Sequence, residues 1–176
     1  VYLISFPNSG RSWLMHMLNE ILQEIGNSDF EIEATHDCSE IIIEDGTRQN
    51  PNMIFNYTDR YRYRRSKVIF LARDPRDVIN SNFYQVTNRS KNPFKFKSKS
   101  DFIKHRLYGF CRVIHFYNLW FANKNKPLDF LLVKYEDLLE STNDLKKIFS
   151  FLSLDVKQQV IKKIYDLNNA NRMRKM

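Results

Sequence analysis

Residues 1 to 18 read VYLISFPNSGRSWLMHML, and no other stretch constrains the fold as strongly. Val1, Tyr2, Leu3 and Ile4 form a short apolar run rich in β-formers. Pro7 and Gly10 punctuate it, and Leu14, Met17, Leu18, Ile21, Leu22 and Ile25 then recur at helical spacing. The pattern predicts strand, tight loop, helix. In such a unit the loop N–H groups and the positive end of the helix dipole converge beyond the strand's carboxyl end, where an anion is held. Phosphate is the natural guest. A Walker A loop needs GxxxxGK[ST]; this one lacks the first Gly and the Lys after Gly10, which disfavours an ATPase or kinase loop of that type. Taken alone, the stretch also suits an ordinary strand-to-helix turn.

A second block does not leave it alone. Val68 to Ala72 is a continuous apolar run, as expected of a strand buried on both faces of a parallel sheet. Arg73 ends it, Asp74 is placed to cap the next helix, and Pro75 suits the first helical position. Val78, Ile79, Phe83 and Val86 would face that helix inward, leaving Ser81 on another face. Arg73 is then aimed at the same edge as the first loop, and its guanidinium fork fits a phosphate monoester. Arg76 is the better candidate for a structural pair with Asp74 or Asp77. A third block runs from a buried strand, Phe130 to Val133, into Tyr135-Glu136-Asp137-Leu138.

Together these blocks resemble a known family, the sulfotransferases that use 3′-phosphoadenosine 5′-phosphosulfate (PAPS). Ser5-Phe6-Pro7-Asn8-Ser9-Gly10-Arg11-Ser12-Trp13-Leu14 is similar to the family's 5′-phosphosulfate loop, usually [YF]-P-[KR]-S-G-x-[TS]-W-L. Arg73-Asp74-Pro75-Arg76-Asp77-Val78 with Ser81 resembles its 3′-phosphate motif, and Tyr135 to Leu138 its YEDL segment. The resemblance implies an α/β three-layer sandwich with a central, mainly parallel sheet, P-loop nucleotide-hydrolase-like. It also implies PAPS as cosubstrate, adenosine 3′,5′-bisphosphate (PAP) as product, and no metal. Pro7, Asn8, Ser9, Gly10, Arg11 and Ser12 would hold the 5′-phosphate end, Arg73 and Ser81 the 3′-phosphate, and Trp13 and Tyr135 would lie on the adenine side.

The strand predicted over Phe30 to Thr35 delivers Thr35-His36-Asp37 to a strand end, where ligands sit in open α/β sheets. Family members often carry a catalytic His after a comparable strand, so the resemblance makes His36 the general base. His16, His105 and His115 fall on predicted helices. Asn8 departs from the pattern, because the family usually places Lys or Arg beside the leaving oxygen. An amide donates a hydrogen bond but brings no charge; Arg11, three residues on, is the candidate to supply it. Asn8 and Arg11 therefore join His36 as catalytic candidates.

Length and charge bound the reading. The 176 residues suit one domain, and 43% hydrophobic residues supply a core. The chain starts inside a strand without Met and ends at Arg172-Met173-Arg174-Lys175-Met176, before the Gly-containing basic segment that commonly closes over the 3′-phosphate in this family. The expectation is therefore a single sulfotransferase-like domain over 1–176, cut at both ends. Cys38 and Cys111 give no disulfide framework, and no long apolar run or signal peptide is present. A cytoplasmic setting is expected, with an upstream anchor left open. The net charge of +8 fits a polyanionic donor and equally nucleic acid or an anionic membrane.

In the remaining chain, Met53 to Tyr57 reads as a further strand and Ile41 to Ile43 as an apolar run of no assigned type. Arg60 to Lys67 interleaves basic and aromatic residues, a composition that can stack bases but is read in preference as a solvated basic helix end before a buried strand. Thr87 to Ser100 is a Lys-rich loop. Asp101 to Asn123 is predicted as one long helix with Ile103, Leu107, Phe110, Ile114, Tyr117 and Phe121 on one stripe, widened by Phe102, Val113, Phe116 and Trp120, so that it packs on more than one side. Leu145 to Leu152 and Val156 to Leu167 supply two more helices. The function expected is sulfuryl transfer to a hydroxyl or amine on a small molecule or glycan. An atypical P-loop kinase, a catalytically weak nucleotide-binding relative and a basic nucleic-acid-binding protein remain as alternatives; no specific nucleic acid partner or membrane segment is expected.

Overall fold

The structure is a computed structural model that describes residues 1–27, 29–37, 59–89, 96–105 and 108–174. Strands β1 (Tyr2–Ser5), β2 (Glu33–Thr35), β3 (Lys67–Ala72) and β4 (Asp129–Lys134) form a sheet of order β2-β1-β3-β4. Every pairing is parallel. Ile4 lies opposite Thr35, Ser5 opposite Leu71 and Ala72 opposite Lys134, so all four strands finish at one edge. The loops carrying the first motif, His36, Arg73 and Tyr135 leave from that edge.

Side-chain alternation along the strands divides the core in two. Leu3, Ile69, Leu71 and Val133 pack beneath α1 (Arg11–Glu24), α5 (Tyr135–Glu140), α6 (Asn143–Phe151) and α7 (Gln158–Arg174). Ile4, Val68 and Phe70 pack on the other face against α2 (Pro75–Tyr84), α3 (Lys99–Lys104) and α4 (Phe110–Ala122). The result is the three-layer α/β sandwich expected. Phe70 stacks on Phe116 and Phe130 at centroid distances of 5.7 and 6.0 Å, and truncating such a buried ring costs about 3–5 kcal/mol.

Three expectations are corrected. The long helix over 101–123 is two helices, α3 and α4. The backbone is extended at His105 and again at Gly109, whose N–H donates to the His105 carbonyl at 2.7 Å and where a Cβ would run into the carbonyls of Ile103 and His105. Val113, Phe116 and Trp120 of α4 are buried as expected, with Leu119 beside them, but Phe121, expected inward, is 64% exposed, and Leu107 lies outside the described residues. Finally, the basic and aromatic run is not simply solvated. Arg64 and Arg65 are exposed, but a 3-10 segment, Asp59–Tyr63, carries Arg60 and Tyr63 into the interior. The readings at Cys38, Ile41 to Ile43 and Met53 to Tyr57 lie outside the described residues. Among the described residues no helix is long and apolar enough to cross a membrane.

Candidate active site

The first loop turns through two left-handed residues, Asn8 at φ 64° and Gly10 at φ 90°. Gly is required at position 10 twice over: its φ disfavours a side chain, and a Cβ would collide with the ring of Tyr135. Gly10 also caps α1 without offering a side chain, and the first turn holds no acidic residue. The first bond of the helix joins the Leu14 N–H to the Gly10 carbonyl at 3.1 Å. The N–H groups of a helix's first turn have no acceptor one turn earlier, and this end of α1, the positive end of its dipole, stands at the sheet edge.

His36 stands across from this loop. Its Nδ1 lies 2.9 Å from the carbonyl oxygen of Ser5, the last residue of β1, and 3.5 Å from the Ser5 hydroxyl. A carbonyl only accepts, so Nδ1 carries the proton and Nε2 is left as the basic nitrogen of the neutral ring. The strand that starts the anion loop thus also sets the tautomer of the histidine.

The third element is the turn after β3. Asp74 caps α2 by accepting the Arg76 N–H at 2.8 Å, with Pro75 at the first helical position, as the sequence implied. Hydrogen bonds from Arg76 hold the Asp74 carboxyl down at about 2 and occupy the Arg76 side chain on the surface. Arg73 is spared that partner. Its Nη1 donates to the Asn8 carbonyl at 3.0 Å, its guanidinium carbon lies 4.6 Å from the Tyr135 ring centroid, and its buried Nε has no hydrogen-bond partner among the described residues.

These parts enclose a cleft of about 810 Å³. Pro7, Asn8, Gly10, Arg11, Ser12 and Trp13 form one wall, His36 and Arg73 the floor, and Asn80, Ser81, Tyr84 and Gln85 of α2 and the turn beyond it the other wall. Ser9, fully buried, and Tyr135, 9% exposed, stand behind the lining; Tyr135 supports Gly10 and Arg73 and meets the Trp13 ring edge-on at 5.8 Å. The Asn8 amide does not point freely into the cleft but donates to the Asn82 side chain of α2. Asn80, Tyr84 and Gln85 were not singled out in the sequence, although stepping one helical turn from Ser81 and its neighbour Asn80 reaches both Tyr84 and Gln85.

Fold and cleft together define an α/β protein of the P-loop-like class, with a strand-to-helix loop lining a cleft at the carboxyl edge of a parallel sheet. More narrowly, residues 1–176 match the sulfotransferase domain, and the chain belongs to that family. It is 25% identical to flavonol 3-sulfotransferase of Flaveria bidentis, across 86% of this chain and 56% of that protein. It is 26% identical to 3-beta-hydroxysteroid sulfotransferase of Cavia porcellus, across 90% of this chain and 60% of that one. Mouse sulfotransferase SULT7A1, solved in complex with PAP, superposes with a TM-score of 0.69 at 20% identity, covering 98% of this chain and 65% of its own. The chain spans less than two thirds of the length of these relatives.

Proposed function

We propose that this chain carries the donor site and the catalytic base of a PAPS-dependent sulfotransferase that acts on a hydroxyl or amine. One observation carries the reading: the uncapped N-terminus of α1, Arg73 and the tautomer-fixed His36 converge on a single cleft. The residues present fit a 3′,5′-phosphorylated nucleotide. The partnerless Nε of Arg73 suits a second phosphate, and the absence of a Cβ at Gly10 lets the backbone approach the first. The relative solved with PAP supports the same ligand class, and the names of the flavonol and steroid enzymes support a small-molecule hydroxyl acceptor over a glycan.

When bound, PAPS supplies an activated sulfuryl group. In this reading the N–H groups of Arg11 and Ser12 and the Ser12 hydroxyl hold the 5′-phosphate, while Arg73 and Ser81 hold the 3′-phosphate. Trp13 lies beside the base, with Tyr135 supporting the floor from behind. His36 Nε2 takes the proton of the attacking hydroxyl, and its Nδ1–H bond to Ser5 steadies the imidazolium that results. Arg11 replaces the charge that Asn8 lacks. The 176 residues act as one domain in this reading, and the two-cysteine composition supports a reducing, cytoplasmic setting.

A second reading, a nucleotide binder of weak catalytic power, draws support from the engagement of Asn8 by Asn82. The nucleic-acid reading loses support because Arg60 is buried and Arg62 is paired to Asp37.

The test is the melting shift on adding PAP, compared with ATP at equal salt and repeated on Arg73→Ala. At a hundredfold excess over Kd a ligand of the folded state adds about 2.7 kcal/mol, or roughly 5–10 °C for a chain of this size. A shift specific to PAP and lost in Arg73→Ala is expected. No shift, or an equal shift with ATP, overturns the donor assignment.

A further inference from the structure

Beside His36 lies a residue that the proposed chemistry does not use. Asp37 is 3% exposed and sits at φ 49°, in the left-handed region where a non-glycine residue persists only if its surroundings hold it. They do so from both ends. The Asp37 N–H donates to Thr35 Oγ1 at 3.0 Å. On the carboxylate, Oδ2 meets Arg60 Nη2 at 2.6 Å and accepts the Trp120 Nε1–H at 3.0 Å, while Oδ1 accepts the Tyr63 hydroxyl at 2.8 Å and a bond from Arg62. Three hydrogen bonds, from Arg62, Tyr63 and Trp120, and the ion pair with Arg60 together compensate the buried carboxylate.

This hub absorbs the basic and aromatic run that has no place in the donor site. Arg60 is 2% exposed, with its guanidinium 5.6 Å from the Trp120 ring, and Tyr63 packs between Trp120 at 5.2 Å and Tyr2 at 4.9 Å. Tyr2, Tyr63 and Trp120 belong to the core beneath β1 and β3. The carboxylate therefore reaches from the turn after β2 into the rigid interior. A single peptide separates it from His36, whose ring must stay aimed so that Nδ1 meets the Ser5 carbonyl.

We propose that Asp37 is a positioning residue: the hydrogen bonds that Arg62, Tyr63 and Trp120 place on its carboxylate, with the ion pair to Arg60, lock the left-handed turn, and that turn holds His36 in the Nδ1–H tautomer with Nε2 toward the cleft. The catalytic consequence rests on the sulfotransferase reading. The positioning does not.

Histidine ring-nitrogen NMR on the ¹⁵N-labelled chain without ligand, with His36 assigned by its loss in His36→Gln, reads the tautomer directly. Wild type is expected to show one tautomer, protonated at Nδ1. Tyr63→Phe removes one donor with little change of shape, and Trp120→Phe removes another while putting a smaller ring in the core; each is expected to turn the His36 signal into a tautomer mixture while the PAP melting shift persists. Sulfuryl transfer should fall about tenfold in kcat with KM for PAPS unchanged, a loss of about 1.4 kcal/mol in transition-state stabilisation. Asp37→Asn should do more, and if it fails to fold the two aromatic variants still decide. A folded Trp120→Phe, Tyr63→Phe double variant with an unaltered His36 signal overturns the proposal. If the wild type neither binds PAP nor transfers sulfuryl groups while the His36 signal still follows the hub, positioning stands and the sulfotransferase reading falls.

Discussion

The Tyr117 hydroxyl holds the backbone of Arg73 from both sides, accepting its N–H at 3.1 Å and donating to its carbonyl at 2.8 Å. Next to it, Glu136 Oε1 accepts the Asp74 N–H at 2.8 Å. A helix on one face of the sheet and the YEDL segment on the other thus meet at the turn that aims Arg73. Tyr117→Phe leaves one donor and one acceptor of that turn unpaired. The expected cost is about 1–2 kcal/mol in stability by chemical denaturation, together with a roughly tenfold weaker PAP affinity by titration. Unchanged affinity would mean that Arg73 needs no such support.

Gly10 is the position least able to change. Gly10→Ala must place a methyl group against the Tyr135 ring at a φ of 90°. A loss of about 1–3 kcal/mol is expected from the backbone conformation, with more from the collision. Tyr135→Ala in the same chain should relieve the collision but not the strain, so the double variant should recover part of the melting temperature. It should not recover PAP binding, since Arg73 loses the ring over which it lies.

Most of the sheet and its carboxyl edge were legible because buried parallel strands leave continuous apolar runs, as Val68 to Ala72 does, and because Asp74-Pro75 marks a helix start. The break at Gly109 was not legible. Apolar residues continue at helical spacing straight across it, and the requirement for glycine comes from a backbone contact with Ile103 and His105 that no local pattern encodes. The donor loop was readable from its glycine and its neighbours, but the direction of the Asn8 amide depends on Asn82, which is 74 residues away in sequence. Arg60 misleads for the same reason. Its burial depends on an acid beyond its own segment, and a basic run ordinarily signals solvent.

Two tyrosines, Tyr63 buried and Tyr117 partly buried, give an alkaline signature. Burial, then the Asp37 charge, raises the Tyr63 hydroxyl above its ordinary value, and burial raises Tyr117. Unfolded tyrosines lose their protons near pH 10, whereas these two hold theirs beyond it in the folded chain. Above that point the folded state binds more protons than the unfolded one, so stability falls as pH rises. The contribution is complete below about pH 10 and is lost as pH climbs toward the folded values. Guanidinium unfolding from about pH 9 to about pH 11 should show a steeper decline in wild type than in Tyr63→Phe or Tyr117→Phe. Equal slopes would mean that neither hydroxyl keeps its proton beyond the unfolded value.

The assignment of charge at the leaving oxygen separates Asn8 from Arg11. Asn8 spends its amide on Asn82, so Asn8→Ala removes a tie between the loop and α2 rather than a donor in the cleft. Its cost should appear mainly in the melting temperature. Arg11 lines the cleft at the first position of α1, where its charge adds to the helix dipole. Removing a preorganised group that faces developing charge typically lowers the rate by on the order of a hundredfold or more, so Arg11→Ala should lose kcat on that scale while still giving a melting shift with PAP. Arg11→Lys, which keeps the charge but not the fork, should recover part of the rate. Asn8→Lys tests the same point from the other side: a cation at the position the family normally uses should restore transfer to Arg11→Ala if charge at the leaving oxygen is what is missing. Full activity in Arg11→Ala would reassign the role to the loop's N–H groups acting alone.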